Sequence, residues 1–425
     1  MRKTFTLMAL VLVLVVAIVA LGCGGTTTTS GATTTGGAAT TAASATTTAG
    51  GATTTAGAAA KVAGVDPVKK TINIAVLGPM SGINAEYGNS QKRATTVFNK
   101  LEMPSGMASG PYAGYTFTYQ FFDGKGDPTE AANIAQQIVM GDFFATVGSS
   151  LSLESLAAAP ILDRKNIVMY TTFAASGKLT SSGWKNVFMS FPTATIEGAA
   201  GADVVVTKLG YKNVVDFYEN SPYGQELHAG FEARVKELGG TVLSSYTHEA
   251  KSDVSFSSPL TEIKGKKPDA IYLAEFYEGA GLIVSQALKM GLDLPFVACS
   301  GALDKTMIDM AGGAANVKNV TWTSLYSPES TRPKVQAFVK EYQAQYNLTP
   351  DDASSLTYDA LLDIMTAIEA GASQREKLAD KLHDASLPKP EGITNPAISH
   401  DANGNIQGSQ LLIIKYVNGK FGLAQ

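Results

Sequence analysis

Cysteine is almost absent from this chain, with only Cys23 and Cys299 among 425 residues. Disulfides are therefore excluded as the main support of a fold. Histidine is scarce too: the four present are His228, His248, His383 and His400, and none adjoins a recognisable nucleophile motif. No G-x-S-x-G, H-E-x-x-H or C-x-x-C occurs, and no Gly-Lys pair completes a phosphate loop. The chain thus carries no local signature of a hydrolase, a metal site or a nucleotide cofactor, and catalysis, metal and cofactor are all expected to be absent. Basic charge is not in excess either. The 33 Lys and Arg stand against 37 Asp and Glu, a balance that argues against nucleic acid as a partner.

What is present begins with a leader. Arg2 and Lys3 precede an unbroken apolar run from Leu7 to Leu21, short for a membrane span and suited to the core of a secretory signal peptide over residues 1–22. The run ends in Val19-Ala20-Leu21-Gly22-Cys23, which resembles a bacterial lipobox. That resemblance implies a lipid on Cys23 and a chain held at the outer face of the cell membrane, or in the periplasm if the envelope has two membranes. With the leader removed, Cys299 has no intrachain partner. Every residue from Gly24 to Ala60 is Thr, Gly, Ala or Ser, a composition with nothing to bury. Residues 23–69 are accordingly expected to form a lipidated, disordered tether. No later segment is long and apolar enough to span a bilayer.

From Thr71 onward the chain is longer than one hydrophobic core normally serves, so two lobes are expected. Apolar strands alternate with amphipathic helices: Thr71–Leu77, Tyr115–Phe121, Ala145–Val147, Ile167–Thr171, Val187–Phe191, Asn213–Tyr218, Thr241–Tyr246, Ala270–Phe276 and Phe296–Ala298 read as strands. Helices fall between them, one of them over Thr193–Leu209. This pattern predicts an α/β fold with mostly parallel sheets. Near the end, Asn-Gly pairs flanking Gln410–Val417 predict a short antiparallel meander. Asp401-Ala402-Asn403-Gly404-Asn405 departs from a calcium loop, since its Gly comes one place early and the closing Glu is missing, and it reads as a turn.

One strand-helix-strand unit, Ala145 to Ser176, organises the rest. Its two turns, Gly148–Ser152 and Thr172–Ser176, emerge at the carboxyl edge of a parallel sheet, where small ligands of such sheets bind. Ser149, Ser150 and Ser152, with free N–H groups at the start of the helix, either make an anion pocket without a charged side chain or simply cap that helix.

The order of motifs carries a family resemblance. Pro79-Met80-Ser81-Gly82 with Tyr87-Gly88, Asp123 with Asp127-Pro128, Gly148…Ser152, Ser221-Pro222-Tyr223-Gly224, Lys267-Pro268-Asp269-Ala270 and Tyr358-Asp359-Ala360 are among its members. Together they resemble the type I periplasmic binding proteins, in the branched-chain amino-acid branch of ABC-transporter solute receptors. The resemblance covers essentially all of Thr71 to Gln425. It implies a two-lobed fold, each lobe a mostly parallel sheet flanked by helices, joined by three hinge crossovers. On this basis 71–191 with 325–398 form lobe 1, and 192–324 with 399–425 form lobe 2.

The resemblance also implies roles. A ligand carboxylate would meet the Ser152 hydroxyl, with Ser150 and Leu151 beside it, and main-chain N–H groups around Phe173, Ala174 and Ala175. Relatives often have Thr where this chain has Ala175, so that contact would be main-chain only. Tyr87 and Tyr223 would wall the pocket from opposite lobes, with Phe276 nearby; otherwise they are packing residues. Amino-acid-binding relatives place a Glu where this chain has Ser300. Either Glu275 substitutes, with Glu278 and Asp304 behind it, or the ligand has no ammonium. The function implied is a tethered receptor of an ABC importer, binding an amino acid or small carboxylate and meeting permease subunits. A sensor lipoprotein of the same fold, or a receptor for aromatic or other carboxylic acids, is the alternative.

Overall fold

The computed structural model describes residues 61–250 and 252–424. The predicted signal peptide, Cys23 and the tether up to Ala60 lie outside the described residues.

The first half of the chain supplies β1 (Val65–Asp66), β2 (Thr71–Gly78), α1 (Ala85–Glu102), β3 (Thr116–Asp123), α2 (Pro128–Met140), β4 (Ala145–Gly148), α3 (Ser152–Asp163), β5 (Met169–Thr171), α4 (Lys178–Ser181) and β6 (Val187–Met189). These build lobe 1. A second set follows: α5 (Ala194–Ala202), β7 (Asn213–Glu219), α6 (Pro222–Glu237), β8 (Thr241–His248), α7 (Ser257–Lys266), β9 (Ala270–Ala274), α8 (Tyr277–Lys289), β10 (Phe296–Ala298), α9 (Lys305–Met310) and β11 (Val320–Ser324). They build lobe 2. The chain then returns to lobe 1 for α10 (Pro333–Tyr346), α11 (Asp352–Glu369) and α12 (Arg375–Leu382), and ends in lobe 2 with β12 (Leu412–Val417) and β13 (Lys420–Leu423).

In lobe 1 the parallel strands lie in the order β3-β2-β4-β5-β6, and in lobe 2 in the order β8-β7-β9-β10-β11. Both lobes therefore share the doubly wound order in which the first strand sits between the second and the third. Alternation along a strand feeds two helical layers. Ile72 and Ile74 of β2 enter the core under α1, α10 and α11, while Ala75 and Leu77 enter the core under α2 and α3. The expected meander is a hairpin: β12 pairs antiparallel with β11 and β13, and Asn418 and Gly419 take positive φ in the two-residue turn. The three crossovers follow β6, β11 and Ile406.

Three expectations need correction. Residues 61–69 do not belong to a disordered tether: β1 pairs antiparallel with β2, Val65 opposite Ile72. Val62 and Val65 are the first branched apolar side chains after the Thr/Gly/Ala/Ser run, and both pack on the lobe 1 core. The second correction concerns residues 399–406, which dock on lobe 1 rather than lobe 2. Met189 N–H donates to Gly404 O at 2.9 Å, and the Tyr170 hydroxyl lies 2.9 Å from His400 Nε2. The return to lobe 2 thus falls between Ile406 and Leu412. The helix expected over 193–209 is also not uniform, since α5 passes into a π-helical turn at Asp203–Lys208. No helix among the described residues is long and apolar enough to cross a membrane.

Candidate functional site

Strand order reverses between β2 and β4 in lobe 1 and between β7 and β9 in lobe 2, and the loops leaving these strands meet across a cleft. The Asn84 N–H donates to Glu278 Oε1 at 2.8 Å, the Gly177 N–H to Glu226 Oε2 at 2.7 Å, and the Tyr87 hydroxyl to Gly301 O. Each bond joins lobe 1 to lobe 2, so the arrangement is closed. On the lobe 1 side, β4 ends in Gly148 with φ of +102°, and a Cβ there would stand 1.9 Å from Leu77 O. Only glycine lets the serine turn leave the sheet at that point.

The three serines have separate tasks. Ser149 Oγ donates to Glu154 and accepts the Leu151 N–H at 3.1 Å. Burial pushes the Glu154 carboxyl up to about 7, against the hydrogen bonds from Ser149 and Gly126. Ser150 Oγ lies 3.1 Å from Thr172 Oγ1, tying the two turns together. Ser152 Oγ accepts the N–H of Ala175 and that of Ser176, each at 3.1 Å. No serine side chain caps α3, whose N-cap is Leu151. The capping alternative therefore gives way, and the first-turn N–H groups of α3 keep no side-chain partner at the cap. Ala174 is 1% exposed, and its N–H has no partner among the described residues.

Aromatic residues from both lobes converge on this turn. Tyr87 meets Phe173 edge-on at 5.4 Å and Phe276 at 6.0 Å, while Tyr223 stacks on Phe276 at 5.2 Å. All four are buried, and Leu151 and Ala175 share their apolar cluster. Tyr87, Leu151, Ser152, Phe173, Ala175, Tyr223 and Phe276 are thus brought together.

The acidic residues fall out differently. Both oxygens of Glu275 lie 2.9 Å from His248 Nε2, so this carboxylate is committed to the end of β8 and does not stand in for a Glu at Ser300. Burial opposes protonation of His248, but the hydrogen bond and charge of Glu275, joined by the charges of Glu219 and Asp253, leave its pKa raised. Glu278 is used in the inter-lobe bond to Asn84. Asp304 accepts the Thr306 N–H at 2.6 Å as the N-cap of α9, with its carboxyl pushed up to about 6 by burial. It also lines a cavity of about 510 Å³ that flanks the second crossover and lies outside the aromatic cluster.

Sequence reasoning missed Glu197, on α5. Its Oε1 accepts the N–H of Ser300 at 2.8 Å and the hydroxyl of Ser300 at 2.5 Å, and its Oε2 accepts the Tyr223 hydroxyl at 2.8 Å. A carboxylate therefore does sit against Ser300, but it arrives from another element. One signal was legible: Glu197 is the single charge in Ala-Thr-Ile-Glu-Gly-Ala-Ala-Gly-Ala, a helix whose glycines allow close packing.

Two doubly wound lobes, three crossovers and a buried aromatic cluster where the lobes meet, beside the serine turn, define a two-lobed fold of the kind that binds small molecules between its lobes. Residues 71–415 match the family model described as periplasmic binding protein. The chain belongs to that family, as a type I member of its branched-chain amino-acid branch. It is 23% identical over 349 residues to the leucine-, isoleucine-, valine-, threonine-, and alanine-binding protein of Pseudomonas aeruginosa, covering 81% of this chain and 90% of that one. The branched-chain amino acid transporter substrate binding protein of Streptococcus pneumoniae, solved with isoleucine, is similar with TM-score 0.75 and 26% identity, over 83% of this chain and 99% of that one. A solute binding protein of an ABC transporter from R. palustris, solved with benzoate, shares the fold with TM-score 0.73 at 22% identity, over 83% and 95%. Such proteins are exported and bind solutes for ABC transporters.

Proposed function

We propose that this chain is the membrane-tethered, extracytoplasmic solute receptor of an ABC importer. It binds an amino acid or related small carboxylate between its lobes and presents the closed form to permease subunits. The observation that carries the reading is the convergence of the Ser152 turn and aromatic residues of both lobes in one buried place, with the adjoining Ala174 N–H unpartnered among the described residues. A ligand carboxylate there accepts hydrogen bonds from the Ser152 hydroxyl, the Ala174 N–H and first-turn N–H groups of α3. Tyr87, Phe173, Tyr223 and Phe276 enclose its side chain. Hinge motion at the three crossovers admits the ligand, and the inter-lobe hydrogen bonds hold the closed form. The names of the Pseudomonas and Streptococcus relatives support an amino acid. Lipidated Cys23 and the run to Ala60 serve as anchor and leash, with more than one acyl chain giving stable attachment. No reaction is catalysed.

Ser300, at the position where the family resemblance implies a Glu, supports a second reading: a carboxylic acid without an amino group, as in the fold relative solved with benzoate. Mass spectrometry of small molecules retained by the purified protein tests both. A retained carboxylate near one per chain is expected, and recovery of a ligand with no acid group overturns the carboxylate pocket.

A further inference from the structure

The cavity of about 510 Å³ beside the second crossover is separate from the place where the aromatic residues converge. Neither the serine turn nor Tyr87, Phe173, Tyr223 or Phe276 lines it. Its apolar walls come from both lobes: Val339 and Leu348 from lobe 1, and Leu303, Ile414, Tyr416 and Phe421 from lobe 2. The rings of Tyr416 and Phe421 pack with centroids 4.9 Å apart. Small-molecule pockets run from about 300 to 1,000 Å³ and are walled mostly by such side chains, so the space suits an organic molecule of metabolite size.

Charge sets the class of molecule. Six carboxylates line the cavity against three bases. Two of the bases are already paired, Arg93 with Glu86 and Lys305 with Asp309 at 2.7 Å, and the third, Lys420, is exposed. Asp304 of lobe 2 and Asp352 of lobe 1 are both buried, and their donors are neutral: the Thr306 N–H at 2.6 Å and the Ser324 hydroxyl at 2.8 Å. Asp351 accepts the Ser354 N–H at 2.8 Å and the Ser90 hydroxyl, again neutral. Burial pushes the Asp304 carboxyl up to about 6, and the charges of Asp351 and Glu86, reaching it across the lobe boundary, add to that rise. Like charges of the two lobes thus meet in the closed form, an arrangement that a cation between them relieves.

Tyr326, on the second crossover, supplies an independent sign. It lines the same cavity, is 4% exposed, and its hydroxyl has no hydrogen-bond partner among the described residues. A buried hydroxyl left unpaired is costly, and its oxygen can accept from an ammonium group. No group of His, Cys, Asp and Glu among the described residues is placed to hold a metal ion, which leaves an organic cation as the fitting occupant.

We propose that this cavity is a second ligand site, distinct from the carboxylate pocket, and that it takes a primary ammonium carried on an apolar or aromatic body. Asp304, Asp351 and Asp352 supply the counter-charge, and the Tyr326 oxygen accepts a hydrogen bond from the ammonium. Leu348, Tyr416 and Phe421 pack on the body. Because the counter-charges come from both lobes, the bound amine favours the closed form.

The test titrates the full-length protein calorimetrically with phenethylamine and isopentylamine, and with 2-phenylethanol and 3-methylbutanol as their uncharged matches. The better amine should bind at one per chain, roughly tenfold or more tightly than its alcohol. Asp304→Asn, which keeps a residue suited to cap α9, should lower that affinity roughly fivefold or more. Thr349→Arg, on the exposed part of the wall, brings a positive charge to the cavity and should lower it as well; this variant decides the matter if Asp304→Asn does not fold. Ser152→Ala should leave amine affinity within about twofold, since the serine turn is no part of this wall. Failure of both amines to bind, an amine held no more tightly than its alcohol, or affinity unmoved in the folded cavity variant overturns the proposal. A comparable loss in Ser152→Ala overturns it too, by putting the amine in the carboxylate pocket.

Discussion

The hydroxyl oxygen of Ser152 lies 3.1 Å from the backbone nitrogen of Ala175 and accepts its proton, as it accepts that of Ser176. One side chain therefore braces the second turn of the strand-helix-strand unit and still has its own proton to give. Ser152→Ala should act twice. Loss of a buried acceptor for two N–H groups should lower unfolding free energy by about 1–3 kcal/mol, and loss of a donor to a carboxylate should weaken binding by about 1.5–3 kcal/mol. Denaturant unfolding and calorimetric titration measure the two separately, and a variant that binds with unaltered affinity rules out the carboxylate role.

Glu226 of lobe 2 accepts the Ser176 hydroxyl and the Gly177 N–H of lobe 1. Its removal touches neither core, so Glu226→Ala should leave the melting temperature nearly unchanged while shifting the population toward the open form. Apparent affinity should drop roughly 5- to 30-fold, the share of about 1–2 kcal/mol of closing contacts. Small-angle scattering should show a larger radius of gyration before ligand is added. Unchanged scattering together with unchanged affinity would count against Glu226 as a closing contact.

His228 Nδ1 lies 2.7 Å from Asp216 Oδ2, whose side chain is wholly buried. The hydrogen bond to Asp216 raises the imidazole pKa above its ordinary 6.5, with burial opposing. Because the folded value is the higher one, this contribution to stability is complete below about pH 6.5 and fades as pH climbs through the folded value. Melting temperature of the wild type should therefore decline over that interval, and His228→Gln should flatten that part of the profile. Superimposable profiles would show that the pair does not couple to folding.

Cys23→Ala should move the protein from washed membranes to the soluble fraction, since no helix among the described residues can replace an anchor. Persistence of the variant in the membrane would mean that attachment lies elsewhere.

The strands were readable as apolar or alternating runs that end at a turn residue, and the serine turn followed from its place at a strand end, whereas Tyr87 and Tyr223 came from the family resemblance. Contacts between segments far apart in sequence were not readable. Ser300 and Glu197 are 103 residues apart, and nothing local to either announces the other. Glu275 looked available because its neighbours along the chain are apolar. Its partner, His248, sits at the end of β8, separated from β9 by β7, so the pairing is a product of strand order. The docking of residues 399–406 on lobe 1 was hidden for a related reason. Gly404, with φ of +86°, is where a Cβ would stand 2.3 Å from Val187 O, and a glycine in an Asn-Gly turn gives no hint of which strand it will touch. Val65 and Asp66 make too short a run to stand out beside a featureless stretch.

The pairing of Val65 with Ile72 has a mechanical consequence. β2 runs toward the cleft, so β1 grips its far end, roughly 20 Å from Gly78 at the usual strand rise. Nearby, Asp142 takes the Gly64 N–H at 2.7 Å and the Lys61 ammonium at 2.8 Å. A pull applied through residue 61 is thus borne by these rungs inside lobe 1, and no strand of lobe 2 lies on the load path. Under the proposed anchoring, a pull through the residues before 61 enters lobe 1 at β1, away from the three crossovers.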